Sequence, residues 1–187
     1  MAYTKKYIIT GAPGTGKTTL INALEKEYPC LPEVSRTIIV SEQKRDGSGM
    51  PWQDLRKFAA LVYEASIAEM DSTPQALFTD RSVLDLIAYL QVAGKSIPSA
   101  LDCFPYRDKF RKKAFFAPTW PSIYHQDKQR PQEFDYCLEL EKALETNYIK
   151  KGFDIIRLPK DTVSARVNFV HTFIKNVGAS IDYKQHN

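Results

Sequence analysis

The sequence predicts an α/β fold in which a parallel sheet carries helices on both faces. Short apolar, β-branched runs alternate with helix-period stretches along most of the chain. A glycine-rich loop joins the first such run to the first helical stretch. No Pro/Gly-rich linker, internal repeat or low-complexity segment divides the 187 residues, enough for one domain with a sizeable core. That domain is placed at residues 1–178, followed by a frayed tail at 179–187.

The elements follow in order. Lys6–Thr10 reads as the first strand, and Thr18–Tyr28 as a helix with Leu20, Ala23, Leu24 and Tyr28 on one face, halted by Pro29. Cys30–Val34 is the second strand. Ser41–Met50, polar and glycine-containing, is a mobile loop, and Pro51 opens a helix striped by Leu55, Phe58, Val62 and Ala65. Ala76–Asp80 is the third strand. Leu84, Ile87 and Ala88 mark a helix closed by Gly94, and Ser82 with Asp85 fits a capping box at its start. The stretch from Gly94 to Arg107 is broken by prolines. Arg107, Lys109, Arg111, Lys112 and Lys113 form a basic run expected on the solvated face of a helix. Ala114–Ala117 is the fourth strand. A long helix begins near Pro131, with Glu133 and Asp135 in its first turn and Cys137, Leu140, Leu144 and Tyr148 facing one way; Lys150, Lys151 and Gly152 end it. Asp154–Leu158 is the fifth strand. The last helix carries Val163, Val167, Val170, Ile174 and Val177, with Thr162 as N-cap and Gly178 past its end.

The loop after the first strand, Gly11-Ala12-Pro13-Gly14-Thr15-Gly16-Lys17-Thr18, spells G-x-x-x-x-G-K-[ST]. Its glycines let successive N–H groups turn inward around phosphate oxygens, Thr19 adding the next amide. Lys17 reaches the β- and γ-phosphates, and the Thr18 hydroxyl takes a place on Mg²⁺. Strand, glycine loop and helix in that order set the helix's positive end beneath the phosphates. ATP and Mg²⁺ are the expected cofactors.

Asp80 ends an apolar strand, the shape of a Walker B element. Strand ends converge on the ligand in a parallel sheet, so Asp80 is expected beside Lys17 and Thr18 as a ligand of Mg²⁺, the alternative being a helix cap. Glu33 ends the second strand in the same crevice. It is either the carboxylate that accepts a hydroxyl proton during phosphoryl transfer or a surface group paired with Arg36 or Lys44. Arg36 either holds an acidic substrate or a phosphate, or sits in a solvated ion pair. Arg81, directly after Asp80, is a further candidate on the substrate side.

A net charge of +4 and a pI near 8.8 suit a polyphosphate ligand and fall short of a nucleic-acid surface. Cys30, Cys103 and Cys137 show no metal or redox spacing and are expected as buried free thiols. With no signal peptide or membrane-spanning run, a cytoplasmic location is expected.

The loop motif, Pro32-Glu33-Val34-Ser35-Arg36, Asp80-Arg81-Ser82 with Asp85, Ala88-Tyr89-Leu90, Pro118-Thr119-Trp120-Pro121, Asp127 with Arg130, and Ser164 to Val167 run along most of the chain. In these the chain resembles the nucleoside- and nucleotide-kinase branch of P-loop proteins. More narrowly, it is similar to the ATPase/kinase family that includes the ribosylnicotinamide kinase domain; Ser82 stands where that family often has Gly. The resemblance implies a three-layer, five-stranded sheet in the order 2-3-1-4-5. It implies a lid over ATP at Tyr124–Arg130, where Lys128 and Arg130 either supply positive charge to the migrating phosphoryl group or lie solvent-exposed before the next helix. It also implies adenine near Pro159-Lys160-Asp161 and a nucleoside-like hydroxyl acceptor beside Glu33. Two functions are compatible with these residues: a small-molecule kinase, and an ATPase or nucleotide switch that serves a protein partner, with the basic run as its docking surface.

Overall fold

A computed structural model describes residues 5–124 and 133–185, with side chains as far as residue 176 at the C-terminal end. Five strands, β1 (Lys6–Thr10), β2 (Cys30–Leu31), β3 (Phe78–Asp80), β4 (Phe110–Phe116) and β5 (Asp154–Arg157), form one sheet in the order β2-β3-β1-β4-β5. Every pairing is parallel. The order and direction are those the resemblance implied.

Parallel pairing requires crossovers, and the helices supply them on both faces. The helices are α1 (Lys17–Leu24), α2 (Val34–Lys44), α3 (Leu55–Ser72), α4 (Val83–Val92), α5 (Ser99–Asp102), α6 (Tyr106–Lys109), α7 (Phe134–Lys150) and α8 (Val163–Gln185), with a 3₁₀ turn at Pro121–Ile123. The central strand shows why: all five residues of β1 are buried. Tyr7 and Ile9 join Leu20, Leu24, Phe115 and Val170 in the layer beneath α1 and α8. Ile8 points the other way, into the layer with Phe58, Leu84, Leu140 and Tyr148 from α3, α4 and α7. Two-residue alternation on one strand thus feeds two cores.

Several boundaries differ from the sequence reading. β2 stops at Leu31, and Val34 opens α2 with Glu33 as its N-cap residue; the β-branched run of Val34 to Val40 is helical because its tertiary packing overrides strand propensity. Ser41–Lys44 finish that helix, so the mobile loop expected at Ser41–Met50 is only partly loop. What remains closes on the buried Glu42 carboxylate, which accepts from the Gly49 amide at 2.6 Å and pairs with Arg45. The basic run is not one solvated helix. Arg107 and Lys109 lie on α6, whereas Arg111, Lys112 and Lys113 lie on β4 between buried Phe110 and Ala114. α1 ends at Leu24, short of Tyr28. α8 continues through Gly178 to Gln185, and Thr162 caps it by accepting from the Ala165 amide at 3.2 Å. Asp54 caps α3, where the sequence reading placed the helix start at Pro51. The cysteines are free, but Cys103 is exposed and only Cys137 is fully buried. Among the described residues no helix is long and apolar enough to cross a membrane.

Candidate functional site

The loop between β1 and α1 is shaped by backbone needs that its sequence meets. Gly11 holds φ at 141°, and a Cβ there would overlap the Ala117 carbonyl oxygen at the end of β4. Gly16 holds φ at 77° and begins α1 with no side-chain cap and no acidic residue in the first turn. The first amides of α1 are therefore left for an anion. Thr15 turns its hydroxyl back on the Ala12 carbonyl at 3.0 Å.

Lys17 lies inside this loop, its Nζ donating to the Ala12 carbonyl at 2.6 Å and to Thr15 Oγ1 at 3.1 Å. Burial first, then the Arg81 charge, pull its ammonium down to about 7, with Asp80, Glu33 and Asp85 opposing. Thr18 Oγ1 donates to Asp80 Oδ2 at 2.9 Å. The other oxygen, Asp80 Oδ1, is buried with no hydrogen-bond partner among the described residues. Burial, reinforced by Glu33, raises the Asp80 carboxyl above its ordinary range. β3 thus delivers Asp80 beside Lys17 and Thr18, as the sequence suggested.

On the opposite wall Glu33 and Arg81 are locked together. Arg81 Nε donates to Glu33 Oε1 at 2.9 Å, and Arg36 Nε donates to Oε2 at 3.2 Å. The Glu33 side chain is only 13% exposed. Burial raises its carboxyl, but Arg81, then Lys17 and Arg36, outweigh that and hold it below the ordinary range. Glu33 thus pairs with Arg36, as one reading of the sequence had it, but it does so in the wall of the crevice and not on the open surface. Arg81 also donates to the Gly11 carbonyl at 3.1 Å, and its guanidinium lies over the Tyr89 ring. Its backbone is left-handed, φ 71°, a strain of about 1–2 kcal/mol for a residue with a side chain. Ser82, by contrast, is extended at φ −143°, so no glycine is needed there; it caps α4 instead.

The sequence reading left Asp85 as a structural residue of the capping box, and the structure adds to that. Its carboxylate accepts from the Ser82 amide at 3.1 Å, from Thr10 Oγ1 at 2.6 Å and from the Tyr148 hydroxyl at 2.6 Å. One buried carboxylate therefore ties β1, α4 and α7 together beneath Arg81. Tyr148 read as an apolar face residue, and its hydroxyl gave no signal in the sequence.

A cleft of about 450 Å³ runs from Gly14–Thr19 past Glu33, Arg36 and Arg81, then along α2 and α3 to Met70 and Phe110. Its far wall is apolar, with Phe58 and Val62 from α3, and Trp52 lies at its lining while 48% exposed. Phe58 and Val62 lie on α3, and Trp52 lies in the segment just before it. The lid residues Lys128 and Arg130 lie outside the described residues. Pro159-Lys160-Asp161 follow β5 at the same end of the sheet as the loop.

This fold and loop are those of a P-loop domain. The family model described as "AAA domain" matches residues 6–166, and the chain belongs to that family. Similar solved structures include the deoxyadenosine kinase of M. mycoides with dCMP and dCDP bound. It shares 13% identity and a TM-score of 0.66 over 91% of this chain and 99% of that one. The thymidylate kinase of Candida albicans shares 13% identity at a TM-score of 0.65 over 95% and 94%. No curated protein matches the chain.

Proposed function

We propose that the protein is a kinase that transfers the γ-phosphoryl group of ATP to a hydroxyl of a nucleoside-like acceptor. One observation carries the reading: the phosphate loop and the Glu33 carboxylate open into a single cleft whose remaining walls are largely apolar side chains of α3 and α4. Its structural neighbours, a deoxyadenosine kinase and a thymidylate kinase, support the class of acceptor.

The roles follow from the geometry. Amides of Gly14 to Thr19 hold the phosphate chain, and Lys17, now bonded to Ala12 and Thr15, swings to the transferring group. The residues present fit Mg²⁺: the Thr18 hydroxyl and the unpartnered Asp80 Oδ1 are hard oxygen ligands side by side. When bound, the metal neutralises charge on the β- and γ-phosphates. The acceptor oxygen forms a bond to γ-phosphorus as the bridge to the β-phosphate breaks and ADP leaves. Glu33 orients the acceptor hydroxyl and takes its proton. Its lowered pKa makes it a weak base, which suits a loose transition state in which the proton leaves late. Arg81 and Arg36 fix that carboxylate and line the acceptor side.

The switch reading relied on the basic run as a docking surface. That run is largely engaged within the fold: Arg111 lies over Tyr7, Lys112 pairs with Asp154 at 3.2 Å, and Lys113 lies over Phe173. The deciding experiment incubates the protein with ATP, Mg²⁺ and a panel of nucleosides and nucleoside monophosphates, following ADP and phosphorylated product by mass spectrometry. ADP formed one-for-one with a phosphorylated acceptor supports the kinase. ADP released without any acceptor overturns it in favour of the switch.

A further inference from the structure

Past the Glu33 carboxylate the cleft continues to the other end of the sheet. It reaches Phe110, the first residue of β4, which pairs in register with Lys6, the first residue of β1. Gly11 follows the last residue of β1. At ~3.3 Å per residue the levels of Lys6 and Gly11 stand about 16 Å apart, the full height of the sheet. The course of α3 agrees. Its lining residues run from Leu55 to Met70, about 22 Å of helix, and the turn that follows lies at the foot of β1, where Lys6 Nζ donates to the Pro74 carbonyl at 3.3 Å.

The lower part of the cleft is built unlike the upper part. Above, Glu33, Arg36 and Arg81 line it. Below, the large lining side chains are the buried Val62, Met70 and Phe110, while the small Ser66 of α3 and Ala93 beyond α4 leave room between the two helices. The slot meets solvent at half-exposed Glu69 and exposed Ala93. Apolar side chains along an open slot forgo the contacts that a close-packed interior gives them. A group that restores those contacts must itself be apolar, because Val62, Met70 and Phe110 offer no partner to the hydrogen-bonding edge of a base. Passage between two helices suits a flat aryl ring or an alkyl chain. The slot is continuous with the acceptor end, so such a group enters as part of the acceptor.

We propose that the slot between α3 and α4 binds an apolar substituent, aryl or alkyl, carried by the acceptor, so that the preferred acceptor is a nucleoside-like molecule extended at its base end. This deepens the kinase reading and rests on it. Ser66 and Ala93 are the specificity-determining positions, since larger side chains there close the slot.

The test offers adenosine and cytidine, each with and without a benzyl group on the exocyclic amine, to wild type, Ser66→Phe and Ala93→Trp. Binding is read by calorimetry and turnover by ADP and phosphorylated product. In wild type the benzyl group should improve affinity and kcat/KM at least tenfold, the effect of burying a ring-sized apolar group. Ser66→Phe should bring the ratio of benzylated to plain acceptor near one and leave ATP affinity unchanged. A ratio near or below one in wild type overturns the inference, and so does an advantage that survives in both variants. If Ser66→Phe does not fold, Ala93→Trp, at the exposed outlet, decides. Slot-dependent binding of the benzylated compounds without any phosphorylation would uphold the slot and bring down the kinase reading alone. Phosphorylation of the plain nucleosides with no benzyl preference would do the reverse.

Discussion

The two ends of the cleft are made differently. At the end proposed to hold phosphate, Gly11 to Thr18 are consecutive, and what they offer a ligand is largely main-chain amides whose directions are set by local dihedrals. At the proposed acceptor end, Glu33 comes from the start of α2, Arg81 from the turn after β3, Phe58 from α3 and Trp52 from the loop before it. The first end depends on backbone shape and the second on side chains that only packing brings together. Substitutions should therefore separate nucleotide binding from acceptor handling.

The largest effect is expected at Lys17. Lys17→Ala should lower turnover by about 10²–10³-fold or more, because a charge aimed at the transferring group is lost from a buried site. Circular dichroism should remain that of wild type, and retained ADP formation would break the assignment of this end. Glu33→Gln should cost about 10²-fold in turnover while ATP affinity, read by calorimetry, changes little. Equal losses in both would make the Glu33–Arg81 pair a structural clasp for the loop and erase the contrast between the two ends. Asp80→Asn should raise the Mg²⁺ concentration needed for half-maximal activity about tenfold, and an unshifted metal titration would return Asp80 to a role confined to Thr18.

A subtler effect concerns protons. With its pKa pulled down to about 7 in the free protein, Lys17 is mostly neutral at pH 8, and bound phosphates should restore its charge. ATP binding should then take up close to one proton at pH 8 and almost none at pH 6, read by calorimetry in buffers of different ionisation enthalpy. Zero uptake at pH 8 would refute it. The same group acts on stability: between about 7 and its ordinary value of 10.5, the unfolded chain holds the extra proton, so its contribution to stability rises with pH across that window. The smallest effect is expected at the half-exposed Trp52, where Trp52→Ala should raise the acceptor KM a few-fold and leave the KM for ATP alone; a matching change for ATP would blur the division.

Legibility in the sequence follows the same division. The phosphate loop could be read because G-x-x-x-x-G-K-[ST] states its own geometry in adjacent residues. Asp80 could be read because an apolar run ended in a carboxylate. The extent of β2, by contrast, was overestimated, since Val34 to Val40 carries a β-branched run that helix packing overrides. The basic stretch from Arg107 to Lys113 was placed on a helix because three consecutive charged residues, Arg111 to Lys113, carry no period-two alternation to mark the start of β4.

By itself the sequence determined the phosphate loop, the alternation of strands and helices, and the carboxylate at the end of the third strand, all of which depend on neighbours along the chain. The strand order came from resemblance, and the sheet carries it. Only the tertiary structure decided that Arg81 clasps Glu33, that Asp85 joins Thr10 to Tyr148, and that Arg166 reaches Thr15 across 151 positions. Such pairings have no period or spacing in the sequence, because they are set by which faces of distant elements the two cores press together.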